Sequence, residues 1–205
     1  MLPIQKKLIK YNFSSGNNPE YIVIHDTGNT NKGADAEAHY RYFNSDNRNA
    51  SAHYFVDDHA IIQTVEDHNA AWHCGDGKGK YGITNYNSIG VEICVNSDGD
   101  YDKALGNAID LVKYLMQKYG IPIDKVVRHY DASRKICPGT MSANNWAKWT
   151  WFKAQFQPKQ EHWAQKYYDF LTKEKGIVIH ETGFDDTITR GEVFALMARL
   201  WGYKE

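Results

Sequence analysis

Three residues spread along this chain could together hold a metal. His25 closes the apolar run Tyr21-Ile22-Val23-Ile24-His25. His129 ends the run Val126-Val127-Arg128-His129, and Cys137 lies in Lys135-Ile136-Cys137-Pro138-Gly139. Two imidazoles and a thiolate suit Zn²⁺, and three protein ligands rather than four leave a position for water, as a catalytic zinc requires. The chain has 9 histidines, so other pairings arise by chance. His68 with His73, or His53 with His59, are such pairs, but neither has a third soft ligand nearby in sequence. The His-Glu-x-x-His helix motif of one metalloprotease class does not occur.

These residues need elements to carry them. Tyr21 to His25 reads as a short buried strand, and Asp26-Thr27-Gly28-Asn29 turns the chain after it. Ala34 to Phe43 has the composition of a helix. Ser51–Val56 and Ala60–Val65 flank Asp57-Asp58-His59 as a hairpin. Tyr81 to Ser88 is a Gly/Asn/Tyr-rich loop. Ile89 to Val95 is a second buried strand, and Val126 to His129 a third. Tyr101 to Tyr119 is the clearest helix: Leu105, Ile109, Val112, Met116 and Tyr119 make one apolar face, and Gly120 with Pro122 ends it. The pattern predicts an α/β fold with a central mixed sheet of roughly five strands flanked by helices. His25 and His129 then fall at strand ends, where sites in open α/β sheets form.

The chain of 205 residues can hold one medium domain and a small appendage. The boundaries predicted are 1–153 for the main domain, 154–160 for a Pro-containing polar linker, and 161–205 for a small all-α module. Formal net charge is −1, so there is no overall basic excess to attract nucleic acid or an anionic membrane surface. No apolar run is long enough to span a membrane. The N-terminal residues carry neither a long apolar stretch nor a small-residue cleavage site, which reads as synthesis in the cytoplasm without a signal peptide. Cys74, Cys94 and Cys137 are an odd set and argue against a disulfide framework; Cys74 and Cys94 are expected reduced and packed. The 14 Tyr and 6 Trp serve either the core or stacking on sugar rings.

Several stretches in order resemble the zinc-dependent N-acetylmuramoyl-L-alanine amidase family of the amidase-2 type, related to phage lysozyme-amidases and animal peptidoglycan recognition proteins. They are Tyr-Ile-Val-Ile-His-Asp-Thr-Gly-Asn (21–29), Ala-Ser-Ala-His-Tyr-Phe-Val-Asp (50–57), Ala-Trp-His (71–73), Asn-Ser-Ile-Gly-Val-Glu (87–92), Arg-His-Tyr-Asp (128–131) and Lys-Ile-Cys-Pro-Gly (135–139). The resemblance covers about residues 1–153 and implies Zn²⁺ on His25, His129 and Cys137. Glu92, in an apolar strand, is the candidate general base and then acid; the plainer alternative is a solvent-facing or lysine-paired strand residue. Lys135, two residues from a ligand, is placed to stabilise a tetrahedral oxyanion, or is an ordinary loop lysine. Trp72 and His73 match substrate-groove positions. His53 is a candidate supporting residue, and Asp131, Asp26 and Thr27 are candidates to orient a metal-binding histidine. Where some relatives carry a catalytic Tyr, this chain has Ala52, which throws more weight on Glu92.

The tail resembles a single S-layer homology motif through His162-Trp163-Ala164, Lys175-Gly176-Ile177-Val178, Phe184 and Ile188-Thr189-Arg190-Gly191-Glu192, with Gly191 where Ala is usual. That resemblance implies binding to a secondary cell-wall polymer through Trp163, Arg190 and Glu192. The alternative is a helical pair for packing or homo-oligomerisation. The whole reads as a peptidoglycan hydrolase cutting the bond between N-acetylmuramic acid and L-alanine, as a phage endolysin reaching the wall after release. A host autolysin, a non-catalytic peptidoglycan binder and a zinc peptidase acting on stem peptides are the rivals.

Overall fold

A computed structural model of the chain describes residues 1–158, 164–177, 183, 186–187 and 190–202. It divides into two compact units, Met1–Gln157 and Pro158–Glu205.

The first unit is built on a six-stranded sheet in the order β1-β5-β4-β7-β3-β8. Its strands are β1 (Ile4–Lys6), β3 (Tyr21–Asp26), β4 (Tyr54–Val56), β5 (Ile61–Gln63), β7 (Ser88–Ile93) and β8 (Val126–Arg128). Only β4 and β5 run antiparallel, as the predicted hairpin; every other neighbouring pair is parallel. A separate two-stranded ribbon pairs β2 (Phe13–Ser15) with β6 (Asn69–Ala71). The sheet is mixed and helix-flanked as expected, with one strand more than the apolar pattern shows.

Alternation along β3 and β7 decides which residues meet the core. Ile22 and Ile24 of β3, with Ile89, Val91 and Ile93 of β7, join the main core beneath α2 (Tyr101–Tyr119) and α4 (Ala143–Ala154). Tyr21, Val23 and His25, with Ser88, Gly90 and Glu92, therefore occupy the opposite face. The parallel register pairs Tyr21 with Ser88, Val23 with Gly90 and His25 with Glu92. Two strands whose apolar half builds the core thus deliver a histidine and a carboxylate side by side.

Helix α2 has the predicted bounds. The Asp100 carboxylate caps its first turn by accepting the Lys103 N–H, and Gly120 closes it at φ 65°. Its buried face consists of Ala104, Leu105, Ala108, Leu111, Val112 and Leu115. Ile109, Met116 and Tyr119 are only partly buried, at the edge of that face. The buried face is thus turned from the predicted stripe towards Ala104, Ala108, Leu111 and Leu115. Helix α4 adds Trp149 and Phe152, and Phe156 packs beyond its end. The first unit therefore continues through residues assigned to a linker, because Phe156 is only 7% exposed. On the other side of the sheet α1 (Ala36–Ser45), begun by the Asp35 carboxylate on the Ala38 N–H, covers Ala52, Phe55, Ile62 and Cys94.

The second unit contains α5 (Gln165–Asp169), continued by a π-helical turn Phe170–Glu174, and α6 (Arg190–Leu200). Trp163 and Thr189 lie outside the described residues; Arg190 and Glu192 stand exposed in the first turn of α6. Among the described residues, no helix is long and apolar enough to cross a membrane.

Candidate metal centre

The ligand atoms of His25, His129 and Cys137 all lie within 4.8 Å of one another, and all three side chains are buried. Each arrives by a different local device. His25 is carried by β3. His129 is the first residue of a short helix, α3 (His129–Ser133), rather than the last of a strand, because β8 stops at Arg128. Asp131 produces that stop. Its carboxylate accepts the Arg128 backbone N–H at 2.9 Å and the guanidinium at 2.9 and 2.7 Å. Asp131 is thus engaged by Arg128 and does not orient a metal-binding histidine.

Cys137 returns to His129 through a reversal after α3. Arg134 takes up φ 72°, and the Tyr130 N–H donates to the Cys137 carbonyl at 3.1 Å. Asp26 holds the far side of this loop, accepting from the Thr140 N–H and hydroxyl at 2.8 and 3.0 Å. Asp26 therefore joins the end of β3 to the cysteine loop. The Sγ of Cys137 stands 3.7 Å from His25 Nδ1.

Both imidazoles have a partner on the ring nitrogen turned away from this cluster. His129 Nε2 donates to Asp76 Oδ1 at 2.7 Å, and His25 Nε2 lies 3.0 Å from His73 Nδ1. His129 Nδ1 is buried and, among the described residues, has no hydrogen-bond partner. An orphaned imidazole nitrogen, a second histidine and a thiol converging in one buried spot fit a zinc ion, with the carboxylate–histidine pairing that usually supports such a ligand.

Asp76 was not legible from composition. It sits in the 3-10 turn Gly75–Gly77 just after Ala71-Trp72-His73. A Cβ at Gly77 would come within 2.1 Å of the Ala132 carbonyl, so the turn lies against α3 only with glycine there. The acidic residue between glycines beside Trp72-His73 was the available signal.

Glu92 points into the same space, its Oε1 3.7 Å from His25 Nδ1. Its Oε2 is buried with no hydrogen-bond partner among the described residues. Burial, reinforced by the charge of Asp26 and opposed by Lys135, pushes the carboxyl up to about 8. Burial also holds His25 and His73 well below the ordinary imidazole value, with neighbouring histidines acting in the same direction, so both rings are neutral. The Cys137 thiol is pushed up to about 12 by burial and then by Glu92, so a bound metal must displace its proton.

Beside the cluster opens a cavity of about 500 Å³ whose walls include Trp72, His73, Asp76, Tyr86, His129 and Lys135. Lys135 is exposed at its edge. Trp72 is tethered by its indole N–H to Ser14 Oγ at 3.1 Å. His53 lies deeper: Nδ1 accepts the Gly90 N–H and Nε2 donates to the Asn69 carbonyl, so it braces β7. Ala52 is buried under α1 and brings no hydroxyl to the cavity. Cys74 and Cys94 are free and buried.

Comparison with known proteins follows the same residues. The chain is 45% identical over 120 residues to the N-acetylmuramoyl-L-alanine amidase CwlH of Bacillus subtilis, an alignment covering 58% of this chain and 47% of that protein. It is 46% identical over 120 residues to the amidase XlyA of the same organism, covering 58% of this chain and 39% of XlyA. The chain thus spans less than half the length of either relative. A solved mutant endolysin from Bacillus subtilis superposes with a TM-score of 0.69 at 42% identity, over 77% of this chain and 100% of that one. The family model described as N-acetylmuramoyl-L-alanine amidase matches residues 15–140, which include every residue of the metal cluster, and the chain belongs to that family.

Proposed function

We propose that this chain hydrolyses the amide between the lactyl carbonyl of N-acetylmuramic acid and the nitrogen of L-alanine in peptidoglycan, with Zn²⁺ held by His25, His129 and Cys137. The observation that carries the reading is the buried His-His-Cys cluster with the Glu92 carboxylate 3.7 Å from one ligand, beside an open cavity. When bound, zinc polarises the scissile carbonyl and makes water acidic enough to attack near neutral pH. Glu92 receives the proton as the water oxygen bonds to the carbonyl carbon. Lys135 at the cavity edge offers a positive charge to the developing oxyanion. Glu92 then passes the proton to the alanine nitrogen as the C–N bond breaks, leaving a muramoyl carboxylate and a free amine. Trp72 and His73 form part of the wall against which the substrate lies.

The endolysin reading of its biological role, with release to the wall after cytoplasmic synthesis, draws support from the likeness to the solved endolysin. A host autolysin of the same activity is the alternative, favoured by the curated Bacillus subtilis amidases. For the second unit the proposal is attachment to a wall polymer, or self-association that builds such a site. It is supported by the S-layer-like motif and by Arg190 and Glu192 standing exposed on one turn. A guanidinium there suits a bidentate contact to an acidic sugar.

Mass spectrometry of wall digested by the zinc-loaded protein tests the activity. New amino groups on L-alanine with intact glycan strands are expected. Cleavage confined to bonds within the stem peptide would make it a peptidase, and binding with no new termini would make it a binder.

A further inference from the structure

His73 does more than line the cavity. Its ring lies over β7, where a Cβ on Gly90 would fall 2.6 Å from His73 Cγ, so the strand leaves room for it only because residue 90 is glycine. From that position both ring nitrogens are engaged. Nδ1 faces His25 Nε2 at 3.0 Å, and Nε2 faces Ser88 Oγ at 3.2 Å. Ser88 is fully buried, and its Oγ also contacts the Thr84 carbonyl oxygen at 2.5 Å.

The proton positions along this row follow from what each atom can do. A carbonyl oxygen only accepts, so the single hydroxyl hydrogen of Ser88 goes to Thr84. The other neighbour of that hydroxyl, Cys74 Sγ, is a weaker acceptor at 3.7 Å. Having spent its hydrogen, Ser88 Oγ must accept from His73, which fixes the His73 proton on Nε2. A neutral imidazole then keeps a lone pair on Nδ1, so the hydrogen in the contact with His25 belongs to His25 Nε2. The lone pair of His25 is left on Nδ1, the atom facing Cys137 Sγ and Glu92.

We infer that Thr84, Ser88 and His73 form a tautomer-setting chain that presents His25 Nδ1 to the metal, which makes His73 and Ser88 positioning residues. The inference rests on the zinc reading above and adds the source of one ligand's orientation. It also distinguishes the two histidine ligands. His129 is oriented by a carboxylate, Asp76, which adds negative charge to the site; His25 is oriented by a chain of neutral groups. Both rings therefore offer Nδ1, by different means. No proton needs to move along the chain for this role.

Two-bond ¹H–¹⁵N correlation spectra of the zinc-loaded full chain, labelled at histidine nitrogens, read the tautomers directly. His73 is expected to carry its proton on Nε2, and His25 its proton on Nε2 with Nδ1 on the metal. A His73 proton on Nδ1, or zinc on His25 Nε2, overturns the inference. Chelator competition gives a second readout. Ser88→Ala is expected to weaken zinc binding about tenfold or more, the usual scale for losing an outer partner, while Ser88→Thr, which keeps the hydroxyl, restores most of it. Thermal melting of the zinc-free variants separates this from loss of fold. Equal zinc affinity in wild type and Ser88→Ala also overturns the chain's role. If the wild-type protein binds no zinc at all, the failure lies in the zinc reading itself.

Discussion

Glu92 is the residue on which the proposed chemistry turns. A carboxylate on a strand commonly faces water or pairs with lysine; here pairing with His25 across the β3–β7 register brings it to the metal cluster. Glu92→Gln keeps the size and removes the proton acceptor. Zinc content and melting temperature should stay near wild type while wall hydrolysis falls about 10²- to 10⁴-fold, the range for losing a general acid–base group. Turbidity clearing of purified walls, with metal analysis of the same samples, measures both, and near-normal clearing would remove Glu92 from the mechanism. The histidines make a separate, pH-dependent statement. Burial holds His53 down to about 4 from its ordinary 6.5, with His25 and His73 displaced in the same direction. The unfolded chain therefore takes up protons that the folded chain refuses. The histidines' contribution to stability is fully present above 6.5 and is lost as pH falls from there towards about 4. Urea midpoints of the zinc-free protein should drop across that window by more than a single histidine accounts for, and a flat profile would mean these rings are not buried neutral.

At the scale of elements, β7 carries the site. Its core face is Ile89, Val91 and Ile93; its other face is Ser88, Gly90 and Glu92, each matched to a function on the neighbouring strand or loop. Gly90→Ala should be disruptive out of proportion to one methyl group, because the new Cβ meets the His73 ring. A loss of about 1–3 kcal/mol is expected from overpacking, together with weaker zinc binding as His73 is displaced from His25. Denaturant melts and chelator competition test this, and a variant that melts like wild type would show that the ring does not lie over β7. The strands that carry chemistry were legible in sequence because they are apolar and β-branched: β3, β7 and the helix α2 stand where the pattern puts them. The strands β1, β2 and β6 were not: Ile4-Gln5-Lys6, Phe13-Ser14-Ser15 and Asn69-Ala70-Ala71 lack the apolar β-branched run that marks the equally short β4, β5 and β8. Nor was the change from strand to helix at His129, which depends on the Asp131–Arg128 hydrogen bonds rather than on apolar pattern. Asp76 and Ser88 were missed for a related reason: their partners lie 53 and 15 residues away in the chain, and only the fold brings them together.

At the scale of the whole molecule, the candidate site is built from residues of the first unit. Among the described residues, the buried hydrophobic side chains all lie at or before Phe156, and the cluster, the cavity and the chain behind His25 all lie within Met1–Gln157. The second unit instead exposes large apolar side chains, with Phe194 at 66% and Trp201 at 82%. A chain ending at Gln157 keeps Phe156 and the whole core of the first unit and should therefore fold on its own, melting within a few degrees of the full protein. It should cleave soluble muropeptides at the full-length rate, since no site residue is lost. Sedimentation with intact walls should fall severalfold if the second unit supplies attachment, and the full chain alone should show any concentration-dependent association by analytical ultracentrifugation. Equal sedimentation of the two forms would refute wall attachment by residues 158–205. Loss of muropeptide cleavage in a folded, zinc-loaded truncation would show instead that the second unit takes part in the reaction.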